Sequence, residues 1–128
     1  MGGLKTLVVT ALTMVSLPNA MRADADLVQT FANCAGRYSA EMEHAWLIND
    51  PTAEEFEARR GGFVSLLEAT TTSETAQQAI NRRVSSKFAH AALLQVATFN
   101  LDEATSSAAR RTATQYLERC ELLLLGGT

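Results

Sequence analysis

The sequence predicts an all-α protein, an up-down-up-down four-helix bundle with one disulfide between its first and last helices. Three observations lead there. Alanine and leucine are the commonest residues and glutamate and arginine are frequent, which favours helix, and no sustained period-two alternation marks a strand. Apolar residues recur at three- and four-residue steps in four stretches separated by short turn signals. The two cysteines, Cys34 and Cys120, fall on the first and fourth of these stretches.

The chain opens with a secretory signal. Lys5 supplies a positive charge, Thr6 to Leu17 carry none, and Pro18 is followed by small residues at Ala20, Ala23 and Ala25. The apolar run is shorter than the roughly 20 residues of a membrane-spanning helix. Ala23-Asp24-Ala25 fits the cleavage rule; Ala20 is a second position, with Pro18 in the third place before the cut. No cysteine ends the signal, which argues against a lipid anchor. Residues 1–25 therefore read as a signal peptide and 26–128 as one four-helix domain of about 100 residues, without stable membrane insertion once the signal is removed.

The first helix is expected over 26–48, with a stripe of Leu27, Phe31, Cys34, Tyr38, Met42 and Ala45. Asn49-Asp50-Pro51 stops it, because the residue before proline avoids helical angles. A second helix starts with Asp50 or Thr52 as its cap, the latter in a capping box with Glu55. Its core face is Phe56, Phe63, Leu66, Leu67 and Thr70, and Gly61-Gly62 interrupt it at a cost near 2 kcal/mol relative to alanine, as a weak point or bend. Thr71 and Glu74 can cap a third helix, whose stripe is Ala76, Ile80, Val84, Phe88, Ala91 and Leu94. Asn100 or Asp102 caps a fourth, carrying Thr105, Ala109, Ala113, Tyr116, Cys120 and Leu123, and Gly126-Gly127 ends it.

The cysteines test that order. At 1.5 Å per residue Cys34 lies roughly 12 Å into the first helix and Cys120 roughly 8 Å from the end of the fourth. In antiparallel neighbours these heights match. An even cysteine count in an exported chain points the same way, to a Cys34–Cys120 disulfide. Their separation excludes a C-x-x-C redox pair or a zinc knuckle.

Candidate sites are few. Glu41-Met-Glu-His44 has the Glu-x-x-His spacing of di-metal bundles, but it occurs once. The other histidine, His90, follows Lys87 at that spacing, and lysine is no ligand here. Glu41, His44 and His90 are thus weak metal candidates set against a solvated-surface reading, and no metal or other cofactor is expected. No catalytic residue is expected either: no G-x-S-x-G is present, and no serine has a histidine with an orienting partner in an evident pattern. Three arginine pairs, Arg59-Arg60, Arg82-Arg83 and Arg110-Arg111, read as solvated ridges. From Asp26 onward thirteen acids oppose nine bases, which disfavours nucleic acid as a partner.

Surplus apolar surface is the stronger feature. Trp46 and Leu47 close the first helix, and Leu93, Val96 and Phe99 fall outside the main stripe of the third. If helices one and three run parallel, these five residues share one end of the bundle and offer a surface for a protein partner or a homodimer, unless helix three is simply the most buried of the four.

The stretches "CAGRYSAEMEHAWL", "KFAHAALLQVATFN" and "CELLLL" resemble uncharacterised small exported helical proteins of alphaproteobacteria. That resemblance implies a Gram-negative periplasmic setting and carries no catalytic residue across. The resulting expectation is a periplasmic or secreted, disulfide-stabilised protein acting by contact: an inhibitor, immunity-like protein, chaperone or assembly factor. The alternative is a bundle holding a metal ion or small apolar ligand.

Overall fold

The computed structural model describes Gly2 and residues 19–126. The charged and apolar parts of the predicted signal, and Gly127, lie outside the described residues. Four helices follow one another: α1 (Asn19–Leu47), α2 (Ala53–Thr70), α3 (Ala76–Phe99) and α4 (Glu103–Leu124). Among the described residues there is no strand, and no helix is long and apolar enough to cross a membrane.

The helix ends follow local chemistry. Past α1, Asn49 adopts the left-handed conformation with φ 57°, a role asparagine tolerates, and the Asp50 N–H returns to the Ala45 carbonyl at 2.8 Å. Asp50 then holds the next turn, its carboxylate accepting from both the N–H and the hydroxyl of Thr52. Thr52 occupies the cap of α2 without a side-chain bond, so the expected Thr52/Glu55 capping box does not form. Nor do Thr71 and Glu74 cap α3: the cap is Thr75, while the Thr72 hydroxyl donates to Glu74. Asp102 does cap α4, accepting from the Thr105 N–H at 2.9 Å. Gly126, at φ 69°, supplies the left-handed residue beyond its end. Gly61 and Gly62 lie inside an uninterrupted α2.

The central element is α1. Val28, Ala32, Cys34, Ala35, Tyr38, Ala40, Met42 and Ala45 are all buried, and at 100° per residue they spread over about two-thirds of the helix circumference. The single stripe expected for α1 is therefore too narrow, and Leu27 at its start is exposed. It is α1, not α3, that is the most buried helix. It packs most extensively on α3 and then on α2, while α4 packs mainly on α3 and meets α1 along a narrow contact.

Pairings fix the order of approach. Phe31 meets Phe63, and Tyr38 meets both Phe63 and Phe56. Gln29 meets Arg82, Asn33 meets Ser86, and His44 meets Thr98. His90 lies beside Tyr116, and Arg110 donates to the Ala97 carbonyl. At the narrow α1–α4 contact Cys34 and Cys120 form a disulfide with Cα atoms 5.7 Å apart.

The buried face of α3 departs from expectation. The stripe predicted for it centres on Ile80 and Val84, yet Ile80, Val84 and Phe88 are 58, 48 and 68% exposed. What faces the interior is Ala79, Ser86, His90, Leu94 and Ala97, about a quarter turn away at 100° per residue. The cause is the closeness of α1. Ala32, Gly36 and Ala40 repeat every fourth residue on α1 and present almost no side chain, so α3 approaches with its own small residues. At the crossing a Cβ on Gly36 would lie 2.4 Å from the Arg83 carbonyl oxygen.

Candidate functional site

The two helices held together by Gly36 bring Glu41 and His90 face to face. Their side chains are buried, and His90 Nε2 lies 2.7 Å from Glu41 Oε1. An ionised carboxylate only accepts, so with Glu41 ionised the Nε2 atom carries the proton. The solvated-surface reading of these two residues is thereby corrected: they form a polar contact inside the core. Their burial follows from the small-residue packing of α1 on α3, which turns the His90 side of α3 inward.

His44 takes no part in it. Its Nε2 bonds the Thr98 hydroxyl at 2.9 Å, and its ring meets Phe99 edge-on. The two histidines stand at different levels along the bundle. Thr98, the true partner level of His44, lies eight residues beyond His90, roughly 12 Å along α3. Among the described residues no three histidine, cysteine or acidic side chains gather as metal ligands.

The second nitrogen of His90, Nδ1, is buried without a hydrogen-bond partner. A catalytic triad would place a nucleophilic hydroxyl there. The neighbouring Ser86 hydroxyl instead donates to the Asn33 carbonyl at 2.9 Å and so ties α3 to α1. Glu41→Ala removes the acceptor of a buried N–H and is expected to cost about 1–3 kcal/mol. Glu41→Gln, which keeps an acceptor oxygen, should cost less; urea unfolding of the two variants followed by circular dichroism checks the difference.

His90 also forms part of a cleft of about 490 Å³ between α1, α3 and α4. Asn33 and Arg37 line it from α1, Arg82 and Leu93 from α3, and Tyr116 from α4. The Arg37 guanidinium lies 4.2 Å from the centre of the Tyr116 ring, a cation–π contact worth about 0.5–2 kcal/mol. Burial lowers the Arg37 pKa from its ordinary value; the Tyr116 hydroxyl opposes that and the neighbouring Arg119 charge adds to it. Arg82 donates through Nε to Gln29 Oε1 at 2.7 Å. The sequence reading missed this group because Arg37 belongs to no arginine pair and Tyr116 reads as core. The available signal was a lone arginine between Cys34 and Tyr38, one residue after Gly36.

The arginine pairs are not free ridges throughout. Arg59 bridges Glu55 within α2 and Glu121 on α4, and Arg110 donates to the Ala97 carbonyl at 2.8 Å. The five expected interface residues divide. Trp46, Leu47 and Phe99 are more than half exposed, whereas Leu93 and Val96 are partly buried, Leu93 against Ala40, Leu94 and Ala113. The His44 contacts with Thr98 and Phe99 bring the last turns of α1 and α3 together.

Compared with known proteins, the chain matches no protein-family model, no curated protein sequence and no solved structure.

Proposed function

We propose that this chain is an exported, disulfide-locked helical protein that acts by contact with another protein, as an inhibitor, immunity-like protein, chaperone or assembly factor. The observation that carries the reading is the apolar strip left in solvent along α3. Ile80, Val84 and Phe88 stand on successive turns, and Phe99, three turns further on, falls within about 20° of Phe88. Trp46 and Leu47 are likewise exposed, at the end of α1. Each such side chain forgoes roughly 1.5–3 kcal/mol relative to full burial. A strip with this spacing suits an amphipathic helix of a partner protein. Arg60, Arg83 and Lys87 lie along the neighbouring groove, with Met42 beneath and Glu43 held by Lys87.

An up-down-up-down order of the helices belongs to the same reading. Support comes from the pairings: advancing along α1 meets decreasing residue numbers on α2 and increasing ones on α3. Export to the periplasm or beyond is supported by the disulfide and by the position of the core. Val28 is the first fully buried residue of α1 after Arg22, so cutting after Ala25 would leave the packed part of the helix intact. Catalysis is not part of the proposal.

Phe88→Glu tests the reading. It is expected to leave urea stability within about 0.5 kcal/mol, as for other surface substitutions, and to remove a stoichiometric partner that copurifies with the wild-type protein from the cell envelope. Sedimentation of the pure protein separates a foreign partner from a second copy of this chain. A wild-type monomer that copurifies with nothing would end the proposal.

A further inference from the structure

The cleft between α1, α3 and α4 is separate from the apolar strip and shares none of its residues. Its lining has one sign of charge. Arg37 and Arg82 project into it, and among the described residues no aspartate or glutamate lines it. A partly buried guanidinium is normally matched by a carboxylate, since desolvating a cation is costly without one. Arg37 has no such match: it stacks on Tyr116, and its Nη1 lies 3.9 Å from Cys120 Sγ. Arg82 uses only Nε for Gln29, which leaves both its terminal nitrogens available. His90 also lines the cleft, and its Nδ1 atom is buried and unpartnered. Ala89 and Leu93 give part of the wall an apolar surface. The volume, about 490 Å³, lies within the usual range for small-molecule sites, roughly 300–1,000 Å³.

We propose that this cleft binds a small organic anion, its carboxylate or phosphate group held by Arg37 and Arg82 and its apolar body resting on Ala89 and Leu93. Arginine suits that role because its planar fork matches the paired oxygens of both groups. The cation–π contact with Tyr116 holds the Arg37 fork in place before the anion arrives.

The experiment is a titration of the isotope-labelled full chain with benzoate, phenyl phosphate and neutral benzamide, read by NMR at Tyr116 and His90. Saturable shifts with benzoate or phenyl phosphate at millimolar concentrations or below, and none with benzamide, are expected. Whichever of the two binds more tightly identifies the preferred oxyanion. Arg37→Gln should weaken binding at least tenfold, and Arg37→Lys, which keeps the charge but loses the fork, by an intermediate factor. Arg111→Gln, on the outer face of α4, should change nothing. If Arg37→Gln proves unfolded by circular dichroism, exposed Arg82→Gln provides the same reading. No saturable shift with any probe, equal binding of benzamide, or an equal loss in Arg111→Gln would overturn the assignment.

Discussion

Gly36→Leu is expected to give a chain that does not reach the native fold, and Gly36→Ala a folded protein less stable by about 1–3 kcal/mol. The added Cβ would stand 2.4 Å from the Arg83 carbonyl oxygen, 3.0 Å from the Lys87 nitrogen and 3.1 Å from Ser86 Cβ. Two of these atoms are backbone, so no side chain can swing aside to relieve the overlap. Relief requires moving α3 as a body, which would loosen the contact of Glu41 with His90 and of Asn33 with Ser86. Alanine's better helix propensity returns about 1 kcal/mol, which the collision has to exceed for the variant to lose stability. Gly61 provides the control. It also lies inside a helix, but nothing stands within 4 Å of its missing Cβ. Gly61→Ala should therefore stabilise the protein by roughly 0.5–1 kcal/mol. Urea unfolding of both alanine variants decides the matter; a Gly36→Ala protein as stable as wild type would refute the close-packing account.

The double substitution Cys34→Ala/Cys120→Ala is expected to cost about 2–5 kcal/mol, a large share of the 5–15 kcal/mol typical of a domain. The bond spans a sequence separation of 86 residues. A loop of that size gives a chain-entropy estimate of about 4–5 kcal/mol, with real values often lower. Geometry adds weight to that figure. Apart from the Arg37–Tyr116 stack and Ala40 against Ala113, little non-covalent packing joins α1 to α4. Both cysteines are buried beside Tyr38 and Phe63, so the alanine pair also leaves space in that cluster. Reducing the wild-type protein should reproduce most of the loss without a substitution. Unchanged unfolding midpoints in both experiments would show that the disulfide is not a source of stability.

The sequence was most readable where local chemistry decides. Asn49 and Pro51 end α1 and start the next turn, Asp102 caps α4, and Gly126 closes it, all from residues within a few positions of the boundary. The two cysteines could be paired because covalent partners had to come from only two positions. Which side of α3 would be buried was less readable. A stripe search favours large apolar side chains, and Ile80, Val84 and Phe88 satisfy it well. Packing followed the smallest side chains instead, because Gly36 and its alanine neighbours let two backbones approach more closely than leucines would allow. The repeat Ala32-x-x-x-Gly36-x-x-x-Ala40 was visible in the chain, and reading it would have turned α3 the right way. The same turn buries His90 against Glu41 and opens the cleft beside Arg37, so the site was obscured by one rotation rather than by any unusual residue.

The bond between Cys34 and Cys120 makes a ring of the chain between them, and all three inter-helix connections lie within it. A protease that cuts once at 71–75 would produce two polypeptides, one bearing α1 and α2 and the other α3 and α4, yet they could not diffuse apart. Each would remain covalently attached to the other, and the pairs Phe31–Phe63 and His90–Tyr116 would lie within single pieces. Releasing any segment from inside the ring takes two cuts. Only the ends outside it, before Cys34 and after Cys120, can be lost to one. The ring therefore lets the fold outlast a first cleavage, since the two pieces stay at high local concentration and can repack around the nick.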